Sequence, residues 1–137
     1  LYMLSLSTNI KTLSSGAFVN KEDNNDSRRI KKVTEYLNRN YDKNIKLADI
    51  ADLINMSEVA FCRFFRKRTS KSPIEYLNDI RIGMATRQLA DTAKPISEIC
   101  YQCGFNNLSN FNRCFQKKKG CTPSEFRKKF ALTRQII

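Results

Sequence analysis

The chain has no histidine and no tryptophan among its 137 residues. Without histidine the commonest general base and a preferred catalytic zinc ligand are missing, which counts against an enzyme. Acidic residues are scarce as well: Asp and Glu number 13 against 25 Lys and Arg, for a formal charge of +12 and a pI near 9.7. No apolar run approaches the roughly 20 residues that span a bilayer. The opening Leu1-Tyr2-Met3-Leu4 is too short, and the residues after it too polar, for a signal peptide. A start on leucine rather than methionine fits a fragment or a trimmed product.

What is present is unevenly spread. In residues 1–25 Lys11 and Lys21 cancel Glu22 and Asp23, so the whole positive charge falls in residues 26–137. Such a field attracts polyanions: nucleic acid, acidic membrane surfaces or acidic proteins. Five cysteines, an odd number without export signals, fit a reducing cytoplasm.

Residues 1–27 are rich in Ser, Asn, Asp and Thr and read as a linker, or as the tail of an upstream domain. Ordered structure is expected from about Ser27, with Asp26 or Ser27 as helix cap. Ile30, Val33, Leu37 and Tyr41 then mark one face of a helix. No convincing alternating strand appears downstream. Ser72-Pro73-Ile74-Glu75 and Thr122-Pro123-Ser124-Glu125 are both capping boxes with proline in the first turn, so helices are expected to start at about 73 and 123.

Those boxes expose an internal repeat of about 50 residues. Phe61, Arg63, Phe65, Lys67, Pro73 and Glu75 match Phe111, Arg113, Phe115, Lys117, Pro123 and Glu125. Upstream the offset is one shorter: Ile50 matches Ile99, Asn55 matches Gly104 and Met56 matches Phe105, so one residue is inserted after the second turn. Each copy reads as a short apolar helix, a tight turn, a second helix and a loop to a capped helix. Leu47, Ile50, Ala51 and Ile54 form the first apolar face; Ile96, Ile99, Cys100 and Cys103 form its counterpart. Cys100-x-x-Cys103 has the spacing of a redox or zinc pair. Its members instead take core positions of the repeat and read as small buried hydrophobes. Asn55 and Gly104 are the two residue types that cheaply adopt the left-handed conformation a tight turn needs. Two short helices around such a turn form the helix-turn-helix pattern.

At about 100° per residue, Phe61, Phe64 and Phe65 cluster on one side of the second helix, about 57–68, with Val59, Cys62, Arg63 and Arg66 opposite. In the second copy Phe111 and Phe115 mark the core side, with Ser109, Asn112, Arg113 and Gln116 opposite. An aromatic inner face and a polar, cationic outer face suit a helix laid in a major groove. Arginine can bridge guanine O6 and N7, so Arg63 and Arg113, at matched positions, are the leading base readers. Leu108, at the edge of the core face, either touches a thymine methyl or packs. Lys67, Arg68 and Lys71 after the first helix, and Lys117, Lys118 and Lys119 after the second, are suited to phosphates. A linking helix over about 73–91, with Leu77, Ile80, Met84 and Leu89 inward, spans roughly 28 Å. Once docking is included, that length sets the two reading helices about one DNA turn of 34 Å apart, with bending of the DNA required if the spacing falls short.

The series Tyr76-Leu-Asn-Asp-Ile-Arg-Ile-Gly-Met-Ala85, Ile96-Ser-Glu-Ile-Cys100, Gly104-Phe105, Phe111-x-Arg113-x-Phe115-x-Lys117 and Gly120-Cys-Thr-Pro-Ser-Glu-Phe-Arg127 closely resembles the signature of the AraC/XylS family of transcription regulators. The resemblance covers about residues 28–130. It implies an all-α, homeodomain-like fold of seven helices, with one helix-turn-helix subdomain at about 28–70 and another at about 96–130. Residues 131–137 would form a C-terminal tail. It further implies double-stranded DNA as partner, recruitment of RNA polymerase, usually as an activator, and no cofactor. The effector and the dimerisation partner would bind an N-terminal sensor domain outside this chain.

Carried over position by position, base contacts would fall on Glu58, Val59, Cys62 and Arg63, and on Leu108, Ser109, Asn112 and Arg113. Phosphate contacts would fall around them, on Ser57, Arg66, Lys67, Arg68 and Lys71, and on Asn106, Asn107, Gln116, Lys117 and Lys118. Val59, Cys62 and Leu108 stand where family members often carry polar readers, so the second unit is chemically the richer. Two other classes compete with this reading. One is a protein-interaction module whose basic face meets an acidic partner. The other is a DNA-repair methyl acceptor, which would need a reactive cysteine.

Overall fold

The computed structural model describes residues 13–136, with side chains described from 24 to 131. Among the described residues all regular structure is helical: α1 (Leu13–Asn40), α2 (Leu47–Leu53), α3 (Glu58–Thr69), α4 (Pro73–Asp91), α5 (Ile96–Gln102), α6 (Leu108–Lys119) and α7 (Pro123–Ile136). The first unit is α1–α3 and the second α5–α7, with α4 between them.

Two cores form, one per unit. Val33 and Leu37 of α1, Ile50, Ala51 and Ile54 around α2, Phe61 and Phe65 of α3 and Leu77 of α4 are buried together. Ile99, Cys100 and Cys103 around α5, Phe105, Phe111 and Phe115, Cys121, and Ile82, Ala85 and Leu89 of α4 make the second. The repeat is visible ring by ring. Phe61–Phe65 and Phe111–Phe115 both lie 5.8 Å apart between centroids. Phe65 meets Tyr76 edge-on at 5.4 Å, and Phe115 meets Phe126 at 5.7 Å.

The linking helix spans Pro73–Asp91, as expected, but it is apolar on two sides. Leu77 faces the first core, whereas Ile82, Ala85 and Leu89 face the second. Ile80 and Met84, expected inward, are only partly buried, one against each core. A helix gripped from both sides has no single stripe, so a one-face reading finds only part of its contacts.

The first helix departs most from expectation. α1 starts at Leu13, not near Ser27, and Asp26 and Ser27 lie inside it. Asp26 caps nothing; its carboxylate pairs with Arg29 at 3.6 Å and with Arg68 of α3 at 2.5 Å. Residues 20–26 lack an apolar stripe and so read as linker, but they also lack glycine and proline. Once α1 is nucleated by packing, nothing in that stretch stops its propagation backwards. The part of the expected linker at residues 1–12 lies outside the described residues. At the other end α7 stays helical to Ile136, through positions expected to form a tail.

Both proline-led capping boxes form as expected. Ser72 Oγ accepts from the Glu75 amide at 3.1 Å and Glu75 Oε1 accepts from the Ser72 amide at 2.9 Å; Thr122 and Glu125 repeat both bonds at the same lengths. The hydrogen bonds from Ser72 and from Thr122 hold the two glutamates below their ordinary pKa.

Candidate nucleic-acid interface

Each reading helix is set by the turn before it. Asn55 (φ 55°) and Gly104 (φ 100°) take positive φ, as the turn requires. Behind them the Met56 amide donates to Ala51 O at 3.0 Å, and the Phe105 amide donates to Cys100 O at 3.1 Å. Ser57 then caps α3, its Oγ accepting from the Ala60 amide at 3.2 Å. Asn107 caps α6, its Oδ1 accepting from the Asn110 amide at 2.7 Å. Asn106 is therefore the residue added in the second copy. Both reading helices end in left-handed caps, Ser70 (φ 66°) and Gly120 (φ 78°). Neither cap was identified from sequence, although Gly120 carries the signal.

The expected base readers lie outside the cores. Glu58, Val59, Arg63, Ser109, Asn112 and Arg113 are exposed, and Leu108 is marginally so at 37%. Cys62 differs: it is half-buried against the first core. Val59, at 67%, is the most exposed large apolar side chain among the described residues. Arg113 donates to Asn110 Oδ1, which holds its guanidinium along the helix. A shallow concavity lined by Arg81, Asn106, Asn107, Ser109, Asn110 and Arg113 opens at the head of α6.

The expected phosphate contacts divide in two. Lys67, Asn106, Gln116 and Lys117 are exposed. The others already have protein partners. Ser57 and Asn107 are helix caps. Arg66 pairs with Glu75 at 3.2 Å, and Arg68 with Asp26. Lys71 from the first unit and Lys118 from the second both reach Asp79 of α4, Lys118 at 3.4 Å. Partial burial pushes the Asp79 pKa up, but the hydrogen bond from Lys71 and the charge of Lys118 outweigh it and leave it lowered. The basic runs also close α3 and α6, where cations favour the negative helix end.

Sequence reading missed the two arginines that tie the units to α4. Arg81 Nε donates to Tyr41 O at 2.7 Å and Nη2 to Lys43 O at 2.9 Å, beyond the end of α1. Arg127 donates to Leu89 O, Lys94 O and Thr92 O at 3.1, 2.8 and 3.2 Å, closing the end of α4. Both arginines stood in the motif series, but their acceptors are backbone carbonyls, which leave no mark in sequence.

Cys100 and Cys103 are fully buried, as their repeat positions required. Burial raises the Cys100 thiol pKa and pushes that of Cys103 up to about 11, the opposite of what a zinc thiolate or redox cysteine needs. Among the described residues no group of three or more Cys, Asp or Glu could hold a metal, and no helix is long and apolar enough to cross a membrane.

Two capped helix-turn-helix units on a shared linking helix define a tandem helix-turn-helix domain. A sequence profile described as a helix-turn-helix domain matches residues 50–129. The chain is 32% identical over 102 residues to the Bacillus subtilis bifunctional transcriptional activator/DNA repair enzyme AdaA, covering 74% of this chain and 48% of that protein. The C-terminal domain of AraT, a response regulator from Geobacillus stearothermophilus, superposes with a TM-score of 0.69 at 25% identity, over 74% of this chain and 84% of that one. The DNA-binding domain of AdpA, solved in complex with a target DNA, shares the fold at TM-score 0.73 and 23% identity, over 77% and 96% of the two chains. The chain belongs to the AraC/XylS family of transcription regulators and carries its DNA-binding domain. It spans about a third to a half of the length of the curated relatives it matches.

Proposed function

We propose that this domain binds double-stranded DNA in a sequence-specific way, placing α3 and α6 in successive major grooves on one face of the duplex. The observation that carries this reading is the matched exposure of Arg63 and Arg113 on helices whose opposite faces are buried phenylalanines. The arginines read guanine, and Asn112 can bridge adenine N6 and N7. Glu58, Val59 and Cys62 in the first unit, and Leu108 and Ser109 in the second, fill out the base-facing positions. Exposed Lys67 and Lys117 hold phosphates, joined by Lys71 and Lys118 when DNA displaces them from Asp79.

The whole protein is read as a transcription activator working with RNA polymerase in the cytoplasm, its effector and dimerisation sites lying in a separate domain. Support comes from relatives named as activators and much longer than this chain. A methyl-acceptor role fits poorly, because Cys100, Cys103 and Cys121 are buried and Cys62 and Cys114 half-buried.

The test is selection of bound sequences from a random DNA pool. Two short motifs about one helical turn of 34 Å apart should emerge. Arg63→Ala should relax one motif and Arg113→Ala the other, each costing about 1–3 kcal/mol. A uniform loss on all sequences would make these arginines phosphate contacts. No enriched motif would favour an acidic protein partner instead.

A further inference from the structure

We propose that Arg81 is the positioning residue that fixes the separation and phase of the two reading helices, and so decides which spacing of half-motifs the domain accepts. The inference rests on the bipartite reading above. Three parts of the molecule meet at this side chain. From the linking helix its guanidinium donates to the carbonyls of Tyr41 and Lys43 in the first unit. Its guanidinium carbon lies over the ring of Phe105, a core residue of the second unit, 5.7 Å from the centroid. Beside it, Gly104 opens the turn that aims α6.

The packing leaves no room for any residue but glycine there. A Cβ on Gly104 would stand 2.4 Å from Tyr41 O and 2.8 Å from Arg81 Nε. The matched turn of the first unit carries Asn55 at φ 55°; Gly104, at φ 100°, is held to glycine both by its backbone and by the Tyr41 carbonyl and Arg81 pressed against it. A first-unit carbonyl, a linking-helix guanidinium and a second-unit turn thus share one contact.

The apolar contacts on the two sides of α4 are non-directional; the Arg81 guanidinium adds directed hydrogen bonds to the first unit beside its contact with Phe105 of the second. The planar fork of an arginine fixes both distance and rotation. One base pair of misregister moves a half-motif by about 3.4 Å, more than a hydrogen bond can stretch.

The experiment measures binding of the full chain to its selected site, and to sites with one base pair inserted or removed between the half-motifs. Thermal unfolding is followed in parallel. Wild type should lose about tenfold or more on either altered spacing, because both units can no longer engage together. Arg81→Met, which keeps the apolar stem, should weaken the native spacing but lose less than about threefold between spacings. Its affinity for an isolated half-motif read by α3, away from the concavity that Arg81 lines at the head of α6, should match wild type. Arg81→Lys, which keeps the charge without the fork, should fall between the two and carries the test if the methionine variant does not fold. Gly104→Ala, which forces the turn away from Tyr41, should also flatten the profile. Variants that lose affinity equally at every spacing, or keep the wild-type profile, would overturn the role of Arg81 while the bipartite reading stands. A wild type indifferent to spacing would overturn both.

Discussion

At the scale of single residues, the two buried cysteines show how far sequence alone can go. Their spacing suggests a ligand pair; their place in the repeat, matching Ala51 and Ile54, says core. The structure agrees with the repeat, leaving no exposure at either thiol. This burial matters at alkaline pH. The folded Cys103 holds its proton to about 11, against 9.0 when unfolded. Between those values the unfolded chain binds fewer protons than the folded one, so stability is complete below pH 9 and falls as pH rises towards 11. The loss should be on the order of 2–3 kcal/mol for a shift of that size. Urea denaturation at pH 8 and pH 11 should show a steeper decline for wild type than for Cys103→Ala. Equal declines would mean that the thiol does not titrate with folding. The exposed faces of α3 and α6 were legible too, through 100° periodicity. Cys62 was the exception: at 100° per residue it falls opposite the phenylalanines, but it lies close enough to the aromatic side to be half covered.

At the scale of elements, starts were easier to read than ends. Both proline-led capping boxes gave α4 and α7 their first residues, because a cap is a local hydrogen-bond pattern written in four consecutive side chains. The start of α1 was misplaced, since a polar stretch without breakers can be helix or coil and only the rest of the chain decides. The ends of α3 and α6 pose the same problem in both copies, and the second solves it better. Gly120 takes its left-handed cap at no steric cost, while Ser70 adopts nearly the same φ with a Cβ. Ser70→Gly should therefore raise the denaturation midpoint, corresponding to a stability gain of about 0.5–1 kcal/mol once the extra freedom of unfolded glycine is counted. A lowered midpoint would show that the serine side chain contributes more than its backbone costs.

At the scale of the whole molecule, the repeat and the charge were legible, and the way the two units join was not. The length of α4 and the main members of both cores could be read from the order of residues. That Asp79 takes one lysine from each unit could not, because the contact depends on how the units sit around α4. These pairs are partly solvated, so phosphates can compete with them. Asp79→Asn should accordingly tighten binding to arbitrary DNA and steepen its salt dependence. Lys118→Ala should shrink the slope of log K against log salt by about 0.9. Titrations between low and moderate salt would read both; slopes unchanged in both variants would remove Lys118 from the phosphate-binding set.

The unbroken course of α4 has a geometric corollary. A residue inserted in its middle would advance the second unit by about 1.5 Å and swing it by about 100°. DNA winds by about 34–36° per base pair while rising about 3.4 Å. The swing would match nearly three base pairs of twist, yet the advance would match less than half of one. No respacing of the target could satisfy both at once. With α3 and α6 in successive major grooves as proposed, the linking helix would act as a gauge whose pitch is incommensurate with that of the duplex.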